Sequence, residues 1–160
     1  MPDPARPPIA VHAAAVPPRT GARFLPEPFA SRLSRRVKHP LGDAFGLKAF
    51  GVNLTRLAAS DVSSLHHRHS VQDELVYVLE GHPTLVTDEG EVELSPGMCA
   101  GFPAGGTAHH LENRTGREVV VLEVGDRTGG DRVTYPAEDL ALEFDPDGRP
   151  RFTHRDGTRY

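Results

Sequence analysis

Cysteine is nearly missing: Cys99 stands alone in 160 residues, so no disulfide can form within the chain. A lone thiol fits a reducing compartment, and the expectation is a cytoplasmic protein. Long apolar runs are missing too, and none approaches the roughly 18 residues that span a bilayer. The early segment IAVHAAAV is short, contains His12 and has only Arg6 before it, which makes a poor secretion signal. Nor is there a surplus of positive charge. The net charge is −4, charged residues make up 25% and no basic stripe appears. Neither a nucleic-acid nor a membrane partner is expected from such a surface.

What is abundant is glycine and proline, with 16 and 15 residues. Their usual combined share is about 12%, so many short elements joined by turns are favoured over long helices. The length suits one domain with tails. Pro2, Pro4, Pro7, Pro8, Pro17, Pro18, Pro26 and Pro28 remove backbone donors near the start. They predict a flexible arm over residues 1–28, with a single domain and a C-terminal tail over 29–160. The stretch SRLSRRVKHPLGD holds Arg32, Arg35, Arg36 and Lys38. It could clamp an anion, but charge runs mostly face water, so a solvated basic loop is the preferred reading.

From residue 48 onward the pattern is β. KAFGVNLTRL, DELVYVLEG and REVVVLEVG mix β-branched, aromatic and aliphatic residues, and PTLVTDEGEVEL reads as a hairpin turning at Asp88-Glu89-Gly90. MCAGFP and GTAHHLEN are short segments between glycines, and a short helix is expected at Ala137 to Leu142. Six to eight short strands about ten residues apart predict an all-β sandwich or barrel.

The chemistry concentrates in HHRHSVQDELVYVLEG. Alternate side chains of a strand share a face, about 6.5 Å apart. His67 and His69 therefore point together, and His66 and Arg68 point away. Glu74 heads the next strand on the same face as Val76 and Val78. A carboxylate on an otherwise apolar inner face is costly unless something pairs it, and a divalent cation would do so. In PAGGTAHHLEN a further imidazole is on offer: His109 shares a face with Leu111 and Asn113, and His110 faces the other way. Three neutral imidazoles and one carboxylate leave room on a divalent ion for water or a substrate oxygen.

These residues spell H-x-H-x4-E-x6-G, followed by G-x5-P-x-G and H-x3-N. The chain resembles the cupin superfamily, whose two motifs have this order. The resemblance implies a double-stranded β-helix (jelly-roll) barrel and metal ligands at His67, His69, Glu74 and His109, with His110 as the alternative for the last. It places motif glycines at Gly81, Gly97 and Gly105, with Pro103. Two positions depart from the pattern. Asp61 stands where a glycine is usual, and one extra residue separates Gly105 from His109.

Such a site suits Fe, Mn, Ni, Co or Zn as a divalent ion. Dioxygenase chemistry on a small molecule is the favoured expectation. An isomerase or lyase acting on a sugar or sugar phosphate, or a binding module without turnover, are the alternatives. A sugar phosphate would call for inward-facing basic residues, and near the motifs only Arg56 and Arg68 are candidates. Phe50, Asn53, Phe102 and Leu111 are candidates for lining the cavity. Cys99 is expected to be buried and inert, Asn113 to secure a turn, and His12, His39, His82 and His154 to lie in loops or tails. The strands around VYVLEG and VVVLEV are apolar on both faces, which predicts a homodimer covering the outer one.

Overall fold

Extended backbone forms where β-branched and aromatic residues cluster, and it breaks at the glycines and prolines between them. The computed structural model describes residues 7–20, 25–33, 35–145 and 147–160. A 3-10 turn at Ala13–Ala15 leads to β1 (Arg19–Thr20), α1 (Phe29–Arg32), β2 (Val37–Pro40), α2 (Leu41–Ala44) and β3 (Phe50–Leu57). Then follow β4 (Arg68–His69), β5 (Glu74–Glu80), β6 (Thr84–Thr87), β7 (Gly90–Glu93) and β8 (Cys99–Phe102). The last strands are β9 (His109–Glu112), β10 (Val119–Asp126), β11 (Arg132–Thr134), β12 (Ala141–Phe144) and β13 (Pro150–Thr153). Among the described residues no helix is long and apolar enough to cross a membrane.

Every strand pair is antiparallel. One sheet runs β1-β2-β3-β10-β5-β8, a second β13-β12-β11-β4 and a third β7-β6-β9. In the first sheet β10 lies between β3 and β5, and Val119, Val120 and Val121 are all buried, as a central strand requires. In β5, Val76 and Val78 are buried, whereas Leu75, Tyr77 and Leu79 are 42%, 40% and 38% exposed. Alternation thus sorts the strand into an inner and an outer apolar face.

Two apolar clusters fill the interior. One joins Leu57, Val78, Leu85, Leu111 and Val121, among others, from the six- and three-stranded sheets. The other packs Leu25, Phe29 and Leu33 of the segment around α1 against Leu65, Val133, Tyr135, Leu140 and Leu142. Each fully buried aliphatic side chain contributes roughly 1.5–3 kcal/mol. At the turn after β5, Gly81 has φ +81°, and a Cβ there would lie 2.8 Å from the Glu118 carbonyl oxygen, so only glycine fits.

Several expectations need correction. No helix forms over residues 137–142. Pro136 and Ala137 form a turn, Glu138 and Asp139 bend, and Leu140, Ala141 and Leu142 are buried as the chain enters β12. Pairing of β12 with both β11 and β13 outweighs the local helical pattern. Cys99 is exposed, because it sits on the outer face of β8 opposite Tyr77. His39 is not in a loop: it lies buried in β2, its Nδ1 2.7 Å from the Val16 carbonyl oxygen. Phe50 is 42% exposed at the start of β3 and does not line the cavity. The basic run is solvated only in part: Arg32 and Arg35 are exposed while pairing with Glu138 and Asp61, Lys38 pairs with Glu123, and Arg36 is buried. Of the arm expected over 1–28, residues 1–6 and 21–24 lie outside the described residues. Within the rest of it, Val16 and Leu25 are buried and β1 pairs with β2.

Candidate functional site

Between the two clusters lies a cavity of about 250 Å³. It sits just below the usual ligand-pocket range of about 300–1,000 Å³, which suits a small substrate. Inner-face residues of the first sheet form rungs across it. Glu74 pairs in register with Gly125, which pairs with Gly51; one rung further along, Val76, Glu123 and Asn53 pair. The next carries Val78, Val121 and Thr55, which are buried beyond the cavity, and Lys38, which lines it.

Three imidazoles meet at Glu74. The Nε2 atoms of His67, His69 and His109 lie 3.4, 3.5 and 3.1 Å from the same oxygen, Glu74 Oε2. One donor atom each from His67, His69 and Glu74 lies within 4.8 Å of the others. Local structure explains the convergence. His67 bridges to His109 through backbone hydrogen bonds, His67 N–H donating to the His109 carbonyl and His109 N–H to that of His67. His69 is held in β4 by pairing with Val133 of β11. Two residues apart on extended backbone, His67 and His69 turn their rings to one side, with centroids 5.2 Å apart.

The far nitrogen of two of the rings is also held, and the third ring is stacked. His69 Nδ1 is 2.6 Å from Asp131 Oδ2, and Asp131, 3% exposed, accepts from the backbone N–H of Ser70 and Val71 through Oδ1. His67 Nδ1 is 2.9 Å from the Leu65 carbonyl oxygen. The His109 ring stacks on Phe102 at 3.4 Å between centroids and 2° between planes. With Nδ1 held by a carbonyl or carboxylate, Nε2 of His67 and His69 is the atom turned toward Glu74 and the one a metal would take. Burial alone would push the Glu74 carboxyl up, but hydrogen bonds from His109 and His67 and the charges of His67 and His69 outweigh it. Glu74 is held well below the usual carboxylate range. Burial holds His109 below the ordinary histidine value, despite the Glu74 hydrogen bond. A site that keeps its carboxylate ionised and its buried imidazole neutral has the protonation states a divalent ion requires.

His110 turns the other way. Its Nε2 is 3.0 Å from Glu112 Oε1 and its Nδ1 3.0 Å from Nδ1 of His66, whose Nε2 meets Asp88. Arg68 points outward to Thr134, and Asn113 secures its turn with Nδ2 on the carbonyl oxygens of Leu57, Ala58 and Arg117. Asn53 and Leu111 line the cavity as expected. Arg56 does not line it and pairs instead with Glu118.

Four cavity residues carry chemistry that the motif reading passes over: Arg36, Lys38, Glu123 and Tyr135. Arg36 and Lys38 stand two apart on extended chain, and that spacing could have placed them on one face. Glu123 shares parity with buried Val119 and Val121, the same signal of a carboxylate on an apolar inner row that picked out Glu74. Its Oε2 accepts from Lys38 Nζ at 2.6 Å and from Thr55 Oγ1 at 2.8 Å. Burial pushes the Tyr135 phenol above its ordinary value, so it remains a donor at neutral pH. Nothing in its local sequence marks Tyr135 or Asp131.

The family model of the cupin domain matches residues 53–125. A crystal structure of a sugar phosphate isomerase from a cupin superfamily, of Silicibacter pomeroyi, is 39% identical with a TM-score of 0.88, the match covering 94% of this chain and 96% of that one. The chain belongs to the cupin superfamily. A second structure, from Acidithiobacillus ferrooxidans and provisionally named a sugar phosphate isomerase, is 32% identical with a TM-score of 0.72, covering 79% of this chain and 80% of that one. A polyketide cyclase from Streptomyces resistomycificus, 24% identical over 73% of this chain and 78% of that one with a TM-score of 0.59, shares the fold alone. No curated protein matches this cupin. Its antiparallel strands are those of a jelly-roll barrel, and the His67–His69–Glu74 cluster lies in the cavity within it.

Proposed function

We propose that this cupin is a divalent-metal enzyme that isomerises a small sugar-type hydroxycarbonyl compound. His67, His69, Glu74 and His109 would hold the ion, and Asp131 and the Leu65 carbonyl would orient two of the imidazoles. When bound, a divalent ion at such a site supplies Lewis-acid polarisation of substrate oxygens. The observation that carries the reading is the polar inner wall beside that cluster. One rung from the Glu74–Gly125 pair stand Asn53 and Glu123, and Lys38 joins them from the next rung; all three line the cavity. A dioxygenase cavity would be apolar there, and a sugar needs hydrogen-bonding groups. The names of the Silicibacter and Acidithiobacillus proteins agree with this choice.

Glu123 is the candidate base. Lys38 and Thr55 both bind Oε2, which leaves Oε1 without a hydrogen bond among the described residues. From about 7 Å along the strand from the Glu74 level, Oε1 would take the proton from the carbon next to the carbonyl and return it to the neighbouring carbon, while the hydroxyl proton passes to the former carbonyl oxygen. No oxidant or reductant is needed. Tyr135 would donate a hydrogen bond to a substrate oxygen.

The test is proton exchange. Metal-loaded protein is incubated in deuterated water with a panel of aldoses, ketoses and their phosphates and followed by NMR. Deuterium entering at the carbon next to the carbonyl, abolished by chelator and in His67→Ala, is expected. Oxygen uptake with diketones or phenols faster than in His67→Ala, without exchange in any sugar compound, would restore the dioxygenase reading.

We further propose a homodimer through the outer face of β5 and β10. Leu75 pairs there with Val124, Tyr77 with Leu122, and Leu75, Tyr77 and Leu79 are each more than a third exposed. Such an apolar stripe favours a partner sheet. A location in the cytoplasm is proposed as well, consistent with one exposed free thiol.

A further inference from the structure

Within the basic run that enters β2, three side chains have a carboxylate partner and one does not. Arg32 pairs with Glu138, Arg35 with Asp61 and Lys38 with Glu123. Arg36 is the most buried of them, 6% exposed, and it lines the cavity. Among the described residues its one acceptor is the Ser63 carbonyl oxygen, which takes Nη1–H, and its Nε–H has none. A guanidinium offers five donors in a planar fork, so most of its capacity is unspent. Lys38 and Glu123 pair with each other, which leaves Arg36 with no carboxylate in direct contact among the described residues. Such a charge, buried and half-satisfied, is costly unless something completes it.

We propose that Arg36 is the anchor for an oxyanion, the phosphoryl group of the sugar-type substrate, bound in the wall of the same cavity as the His67–His69–Glu74–His109 cluster. Two oxygens of a phosphate match the planar fork of a guanidinium, an arrangement that a lysine cannot copy. Burial pulls the Arg36 guanidinium below the ordinary arginine value, against the opposing effect of Glu123 and Tyr135. The purely architectural role, tying the segment before β2 to Ser63, uses only Nη1. This inference rests on the isomerase reading for the rest of the substrate, but anion binding itself requires neither the metal nor turnover.

That independence sets the experiment. Inorganic phosphate is titrated into the full-length protein in the presence of chelator, by calorimetry and by phosphorus NMR. Wild type, Arg36→Gln, Arg36→Lys and His67→Ala are compared, and acetate serves as a carboxylate arm. Phosphate is expected to bind wild type and His67→Ala alike, about tenfold or more weakly in Arg36→Gln, and weakly in Arg36→Lys. Equal phosphate affinity in Arg36→Gln, or none in wild type, overturns the anchor. Acetate binding tighter than phosphate overturns the phosphoryl assignment. Should Arg36→Gln fail to fold, wild-type crystals grown with phosphate decide: density within hydrogen-bond distance of Arg36 supports the site, and phosphate bound only elsewhere overturns it. Deuterium exchange in unphosphorylated sugars with no phosphate binding would sink this inference and leave the isomerase reading standing. Phosphate at Arg36 with no exchange in any sugar compound would do the reverse.

Discussion

Replacing Asp131 by asparagine tests how the imidazole cluster is prepared. Asp131 is 3% exposed, and its two oxygens serve different partners. Oδ1 accepts from the Ser70 and Val71 N–H groups at 2.9 and 3.0 Å, and Oδ2 meets His69 Nδ1 at 2.6 Å. Asparagine can keep the backbone pair on its carbonyl oxygen, which turns its amide NH₂ toward His69. Two donors then face each other. Either a buried donor goes unsatisfied, at about 1–3 kcal/mol, or the imidazole moves its proton to Nε2 and loses the lone pair aimed at Glu74. In both cases metal affinity should fall about 10–100-fold, or about 1.4–2.8 kcal/mol. The assay is competition with a chromophoric chelator for Zn and Mn at neutral pH, with urea unfolding run beside it to establish that the variant is folded. A folded Asp131→Asn whose affinity stays within about twofold of wild type would refute the claim that Asp131 prepares His69.

Other outcomes follow from the same structure. Leu57→Ala, at a fully buried position of the main core, should cost about 2–5 kcal/mol in urea unfolding without changing metal affinity. Gly81→Ala places a Cβ 2.8 Å from the Glu118 carbonyl oxygen at φ +81° and should lower stability by more than the roughly 1 kcal/mol of an ordinary left-handed alanine; an unchanged melting temperature would contradict this. A hydrogen bond from Arg127 and the nearby charges of Arg127 and Arg19 hold Asp43 below the usual carboxylate range. Its contribution is therefore present above the unfolded carboxyl value near about 3.9 and is lost as pH falls through the lower folded value. Asp43→Asn should flatten that acid limb, by under about 1 kcal/mol because the pairs are partly exposed. A light-scattering mass at micromolar concentration should correspond to two chains, and Tyr77→Glu should give one.

Much of the site is legible from spacing. His67 and His69 two apart, and Glu74 at the head of an alternating strand, announce their common face because extended backbone has a period of two. The H-x3-N spacing separates His109 from His110 for the same reason, and the structure turns them to opposite sides. What is not legible depends on contacts between distant segments. Asp131 reaches His69 only because β11 pairs with β4. Arg36 looks like one more surface charge until the distant Ser63 carbonyl takes its Nη1–H in the interior. The misplaced helix at Ala137–Leu142 shows the same limit from the other side, since partners on two flanks make a strand of residues whose local preference is mixed. Cys99 fails differently: its parity puts it outside, and an apolar neighbourhood in sequence does not mean burial.

The most direct measurement is the metal content of the protein purified without chelator. About one equivalent of a divalent transition ion per chain, kept in His110→Ala and lost in His109→Ala, is what the convergence on Glu74 Oε2 predicts. Protein that holds no such ion and takes up none when Fe, Mn, Ni, Co and Zn are each supplied would contradict it.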